Sequence, residues 1–145
     1  MNVAEKDINL LVVDKLSDEQ KQQLLCLYQN EWWSADRNLN DVKIIIKNSS
    51  FMVAYINKIN NHLIAFGRVL TDNYIHAYLY DIIIHPGFRG IGLGKKLVNT
   101  ILNHKKLSNI RNIELICRKE LMPFYEQLGF SSDYKASIAM RKIKS

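Results

Sequence analysis

Residues 81–97 constrain this chain more than any other stretch. They read Asp-Ile-Ile-Ile-His-Pro-Gly-Phe-Arg-Gly-Ile-Gly-Leu-Gly-Lys-Lys-Leu. An aliphatic run suited to a buried strand leads into a turn with glycines at 90, 92 and 94. Leu93, Leu97 and Ile101 then recur at helical spacing. Glycines let a ligand approach the backbone closely, and the free amides of a helix's first turn favour an anion. Lys95 and Lys96 add positive charge beside them. The segment describes a pyrophosphate cradle. A P-loop would need Ser or Thr after the Gly-Lys pair, and Lys96 stands there instead. A dinucleotide fingerprint would need G-x-G-x-x-G, but the spacing is G-x-G-x-G. The acidic residue nearest the place that fingerprint requires, Glu114, falls within an expected strand.

Around this segment the chain alternates. A short aliphatic run at 8–13 predicts a strand. Ser17-Asp18-Glu19-Gln20 predicts a capping box and a helix to about Asn30, with Leu24, Leu27 and Tyr28 facing the core. Asp41 predicts the cap of a shorter helix through Lys47. Strands are expected at 51–57, 63–70 and 75–84, with turns at Asn60-Asn61, Thr71-Asp72-Asn73 and His85-Pro86-Gly87. A helix over about 91–104 and a strand at 113–117 follow. Pro123 opens a short helix that Gly129 closes. The tail, 134–144, is expected to supply a final strand or two. Three strands joined by short turns pair antiparallel, whereas a strand–helix–strand unit needs a parallel pair. The sheet is therefore mixed, with helices on both faces, and its ligands favour the carboxyl ends of the parallel strands.

The 145 residues amount to a single domain, with 48% hydrophobic and 23% charged residues, as in ordinary globular proteins. No apolar run approaches the length of a membrane span. Glu5, Lys6 and Asp7 stand where a secretory signal would have an apolar core, so a cytoplasmic protein is expected. Cys26 and Cys117 are too few for a disulfide framework and read as buried thiols in a reducing compartment. The net charge of +6 is unevenly placed. Residues 1–80 carry 8 basic against 9 acidic side chains, and residues 81–145 carry 12 against 5. The second part therefore meets an anion.

Arg89-Gly90-Ile91-Gly92-Leu93-Gly94 matches [QR]-x-x-G-x-[GA], and in it the chain resembles the GNAT superfamily of N-acetyltransferases, whose coenzyme A pyrophosphate motif this is. Ile82-Ile83-Ile84-His85-Pro86 is similar to that family's fourth strand, and Phe124-Tyr125-Glu126-Gln127-Leu128-Gly129-Phe130 resembles its later F-Y-x-x-x-G-F signature. The resemblance covers residues 63–130 well and residues 1–50 in element order only. It implies an α/β (α+β), mixed and mostly antiparallel sheet of six to seven strands. About four helices lie on both faces, and one parallel strand pair splays apart. It also implies acetyl transfer from acetyl-CoA to an amine by direct attack in a ternary complex. The pantetheine arm would pair with the backbones of Ile82 and Ile84, with Ile83 between. The amides of Arg89, Gly90, Ile91, Gly92, Leu93, Gly94 and Lys95 would take the pyrophosphate.

Tyr125 matches the family tyrosine that protonates the departing sulfur, and a phenol is protonated at neutral pH. The base is more open. Strict alternation would put Tyr78, Tyr80, Ile82 and Ile84 on one face of their strand and Leu79, Asp81 and Ile83 on the other. Asp81 occupies the place of an acid found in several small-amine members, where it would orient the amine or accept its proton through water; the alternative is a bond to strand-end amides. Tyr80, His76 and Glu114 are weaker candidates, and His76 and His85 read as surface or turn residues. Many members carry an Asn shortly before the tyrosine. Here 118–123 read Arg-Lys-Glu-Leu-Met-Pro, so no contact is assigned there.

For the acceptor, Glu31-Trp32-Trp33-Ser34-Ala35-Asp36-Arg37 suggests a pocket wall. Adjacent tryptophans cannot both face inward from one helix, and Glu31 or Asp36 is expected to hold the amine's cation. Arg68 and Asp72 are placed at the same end of the sheet, touching acceptor or each other. The resulting expectation is a transferase acting on a small-molecule primary amine, with no metal, nucleic acid or membrane partner and a possible homodimer. A protein lysine or amino-terminal acetyltransferase and a non-catalytic acyl-CoA-binding module are the alternatives. A nucleic-acid surface is set aside because Lys105, Lys106, Arg111, Arg118 and Lys119 have mostly aliphatic neighbours.

Overall fold

A computed structural model describes residues 9–144. The chain divides into two compact units, one ending at Leu115 and the other beginning at Ile116. Among the described residues of the first unit, five strands form one sheet in the order β1 (Leu10–Val13), β2 (Phe51–Asn57), β3 (Leu63–Thr71), β4 (His76–Ile84), β5 (Asn112–Glu114). The first four pair antiparallel, and β4 pairs parallel with β5. Ile8, where the first strand was expected to begin, lies outside the described residues. Among the described residues the strand count is five rather than six or seven, and residues 134–144 form no strand. No described helix is long and apolar enough to cross a membrane.

Helix α1 (Asp18–Gln29) starts on the expected capping box: the Gln20 amide donates to Ser17 Oγ at 3.1 Å, and the Ser17 amide donates to Gln20 Oε1 at 2.9 Å. Helix α2 (Leu39–Asn48) starts one turn earlier than predicted. Asn38 is its cap, and Asp41 is the reciprocal partner three residues on, at 2.9 Å in both directions. Asp and Asn serve both roles, so either reading satisfies composition, and only the geometry separates them.

Leu24, Leu27 and Tyr28 of α1 and Val42 of α2 form one core with Met52, Ala54, Ile56, Phe66 and Ile83 of the sheet. Helix α3 (Leu93–Leu102) buries Leu93, Leu97, Val98 and Ile101 on the opposite face. This stripe recurs at the helical period and explains why α3 docks with that side inward. The β3–β4 turn is held by Asp72, whose Oδ1 accepts the amides of Tyr74 (2.8 Å), Ile75 (2.8 Å) and His76 (3.0 Å). Those amides hold its carboxyl below the usual range. Asp72 therefore builds a turn, while Arg68 finds its partners elsewhere.

The second unit contains α4 (Met122–Glu126), with Pro123 in its first turn. Gly129, at φ +93°, leaves the helix by a left-handed step. Cys26 is exposed and Cys117 half-buried, so the buried-thiol expectation fails for both.

Candidate active site

Two departures from regularity shape β4. The first is on its β5 side. Pairing with β5 covers His76, Ala77 and Tyr78 and ends there, although β4 runs six residues further to Ile84. That stretch leads through a single 3-10 turn at Pro86–Phe88 to the start of α3. Gly92 caps α3 at φ +89° with no side-chain hydrogen bond, so no side chain competes for the first-turn amides of Leu93, Gly94 and Lys95. Gly90 is also left-handed, at φ +78°, and the space its Cβ would fill is open. The backbone of 89–95 is thus bare where an anion would need it. Leu93 itself is buried and holds the helix to the sheet, so it offers its amide rather than its side chain. An open groove lined by Gly92, Lys95, Lys96 and Asn99 continues along α3.

The second departure is a bulge toward β3. Arg68 faces Tyr80 and Phe66 faces Ile83, so Asp81 and Ile82 together oppose Gly67. Asp81 takes the left-handed conformation this requires, at φ +57°. A Cβ on Gly67 would lie 2.7 Å from Ile82 Cδ1 and 2.8 Å from Ile101 Cδ1, so the bulge has room only for glycine there. The strict alternation predicted for β4 is therefore wrong. Across the bulge, Tyr80 and Ile83 share the α1 side, while Ile82 turns toward α3.

The bulge delivers Asp81 into a polar cluster on the α1 side. Its Oδ2 accepts from Arg68 Nε at 2.6 Å, Tyr28 Oη at 2.8 Å and Arg37 Nη1 at 3.2 Å. The Asp81 side chain is only 6% exposed. Its Oδ2 is committed to three side-chain donors that tie α1, β3 and the segment after α1 to β4. Burial and the adjacent Asp81 carboxylate push the Tyr28 phenol far above its ordinary value, so it stays a donor. Arg37 lies over the Tyr28 ring at 4.3 Å and the Trp33 ring at 5.3 Å, and Arg68 over Tyr80 at 5.0 Å. Sequence reasoning named Arg37 only as the end of the pocket-wall segment and Tyr28 only as a core residue, and gave neither a role beside Asp81. Each lies more than forty positions from Asp81, and no local pattern signals such a pair.

The other candidates are placed as follows. Trp32 and Trp33 sit in turns after α1 instead of on a helix, so the one-helix argument does not apply. Trp32 is 70% exposed, and Trp33 packs edge-on against Tyr28 at 6.1 Å. Tyr80 is 38% exposed beside Arg68. Glu31 is already engaged, accepting from Arg89 Nη2 at 3.0 Å, while Arg89 Nε donates to the Ile84 carbonyl at 3.0 Å. Asp36 is exposed. His85 Nδ1 accepts the Gly87 amide at 3.0 Å, and burial, then Arg89 and His62, lower its affinity for a proton. His85 is a turn residue, as expected.

In the second unit Tyr125 is buried between Phe124 and Phe130, with ring centroids 4.9 and 5.8 Å away. The Phe130 amide returns to the Tyr125 carbonyl at 3.1 Å and closes the motif on itself. Burial, and secondarily Cys117, push the Tyr125 phenol up to about 12.

A strand without a β5 partner beyond Tyr78, a bare helix start and a mixed sheet are the features that the resemblance to acyl-CoA-dependent transferases implies. Residues 13–130 match the model of the Acetyltransferase (GNAT) family, and the chain belongs to that family. It is an acetyltransferase, and its family generally uses acetyl-CoA as co-substrate. An uncharacterized N-acetyltransferase, ycf52, of Pyropia yezoensis is 34% identical over 130 residues, which are 88% of this chain and 68% of that one. The histone acetyltransferase TAP1 of Glycine max is 30% identical over 107 residues, 67% of this chain and 46% of that one. A solved GNAT-family structure from Xanthomonas campestris superposes with a TM-score of 0.78 at 24% identity, covering 93% of this chain and 94% of that one. Glucosamine-6-phosphate N-acetyltransferase from Arabidopsis thaliana superposes with a TM-score of 0.73 at 20% identity, covering 94% and 99%.

Proposed function

We propose that this enzyme acetylates the primary amine of a small molecule, taking the acetyl group from acetyl-CoA by direct attack. The observation that carries the reading is the stretch of β4 beyond Tyr78. Its backbone runs without a β5 partner straight to the bare amides of 89–95. A thioester arm satisfies such a strand as an added strand would. The backbones of Ile82, Ile83 and Ile84 hold the arm, and Arg89, Gly90, Ile91, Gly92, Leu93, Gly94 and Lys95 surround the diphosphate.

The neutral amine nitrogen attacks the thioester carbonyl. A C–N bond forms, the C–S bond breaks, and the sulfur leaves as a thiolate. Tyr125 donates its phenolic proton to that sulfur, and the proton lost from nitrogen restores the phenol. A phenol pushed up to about 12 holds its proton throughout the neutral range, which suits a donor. A second reading, acetylation of protein lysines, has support from the similarity to TAP1. Thiol release from acetyl-CoA, measured over a panel of small amines and a lysine-containing peptide, separates the two. The proposal expects a small amine to give the highest kcat/KM. Turnover of the peptide alone would replace it with the protein reading.

A further inference from the structure

The amine's cation was expected to meet Glu31 or Asp36, and the structure changes that electrostatic picture. Glu31 is spent on Arg89, and Asp36 is exposed. The cluster at the β4 bulge holds two guanidiniums, Arg37 and Arg68, against the single carboxylate of Asp81. It therefore carries one excess positive charge at partly buried positions, where charges are normally paired. The three side-chain hydrogen bonds to Asp81 all fall on Oδ2, and Arg37 reaches it through Nη1 alone. The remaining edge of the Arg37 guanidinium has no hydrogen-bond partner among the described residues. Its Cζ lies 4.3 Å from the Tyr28 centroid and 5.3 Å from the Trp33 centroid, so two rings and the Asp81 contact restrain where the guanidinium sits. A restrained guanidinium with free donors suits a carboxylate or phosphate in two-pronged contact.

We infer that the acceptor is an amine that also carries an anionic group, received by Arg37, with Trp33 and Tyr80 flanking it. Asp81 then acts as a positioning residue: it holds Arg37 and Arg68 in place and leaves one positive charge for the ligand. This rests on the small-amine reading above and narrows its substrate class.

The test uses matched amines in the thiol-release assay: 4-aminobutanoate against 4-aminobutanamide, and 2-aminoethyl phosphate against 2-aminoethanol. The inference expects the anionic member of at least one pair to have a kcat/KM higher by about tenfold or more, as a charge-assisted hydrogen-bond pair provides. The pair showing the larger ratio distinguishes carboxylate from phosphate. Arg37→Gln should erase the ratio through the acceptor's KM, leaving the KM for acetyl-CoA in place, and Arg37→Lys should keep part of it. An unchanged KM for acetyl-CoA also shows that the variants are folded. Equal kcat/KM within both pairs, or a ratio that survives Arg37→Gln, would overturn the anionic class while leaving small-amine acetylation standing. Absence of amine-dependent thiol release with every small amine would overturn both.

Discussion

Tyr125 and Asp81 show how differently two candidate residues can be read. Tyr125 sits in a local motif, so its aromatic surroundings are written within seven positions of sequence, and the donor role proposed for it rests on the same motif. Tyr125→Phe should lower kcat about tenfold or more with little change in the KM for acetyl-CoA, because only the proton at the leaving sulfur is lost. Steady-state kinetics against acetyl-CoA checks this, and a full-rate variant would remove Tyr125 from the mechanism. The pH profile carries a sign of its own. A raised phenol remains a donor below about pH 12, so kcat/KM should climb as the amine loses its proton and should show no fall on the alkaline side through about pH 10. A decline beginning near neutrality would assign the donor to another group. Asp81, by contrast, was legible only as an acid on a strand. Its three donors come from positions that folding alone brings near, so its structural work could not be read locally. Asp81→Asn keeps the left-handed backbone accessible but leaves two guanidiniums facing each other. It should cost about 3 kcal/mol of stability, read from the urea unfolding midpoint. A loss below the scatter of a surface substitution would contradict the cluster as described.

At the scale of elements, helices were easier to read than strand detail. The stripe of α3 and the capping box of α1 follow from residue spacing, and both formed where spacing put them. The bulge in β4 was invisible, because inserting one residue into a strand changes no composition and interrupts alternation only in three dimensions. Its signature in hindsight is Gly67, a glycine inside an otherwise continuous apolar strand. Gly67→Ala should destabilise by about 1–3 kcal/mol, since Ile82 and Ile101 must both move from a packed core. Adding Ile82→Ala should recover part of that loss in thermal unfolding; purely additive losses would mean that the clash is elsewhere. The tail was misread for a related reason. Ile138 and Met140 alternate as strand residues do, yet they are 84% and 92% exposed. Alternation marks a face that suits a sheet without supplying the strand it must pair with.

For the whole molecule, the uneven charge is the coarse signal that points to an anion at the second part of the chain. The basic excess of residues 81–145 includes Arg89, Lys95 and Lys96 around the start of α3. That is the place where the family motif puts a diphosphate, and Lys95 and Lys96 lie outside the motif's own residues. What composition could not give was the partition of charge within the first unit, where Glu31 neutralises Arg89 and Asp81 is outnumbered by arginines. The acceptor class depends on this partition, which is set by side-chain pairing across the fold. Acetyl-CoA is proposed to lie along the end of β4 that has no β5 partner, with its diphosphate on the first-turn amides of α3. A 16.9 kDa chain suits amide-resolved NMR titration. On adding acetyl-CoA, the account predicts the largest shifts at the amides of Ile82, Ile84 and residues 89–95, saturating together at one equivalent per chain. Saturable shifts concentrated elsewhere, or none at these amides, would contradict it.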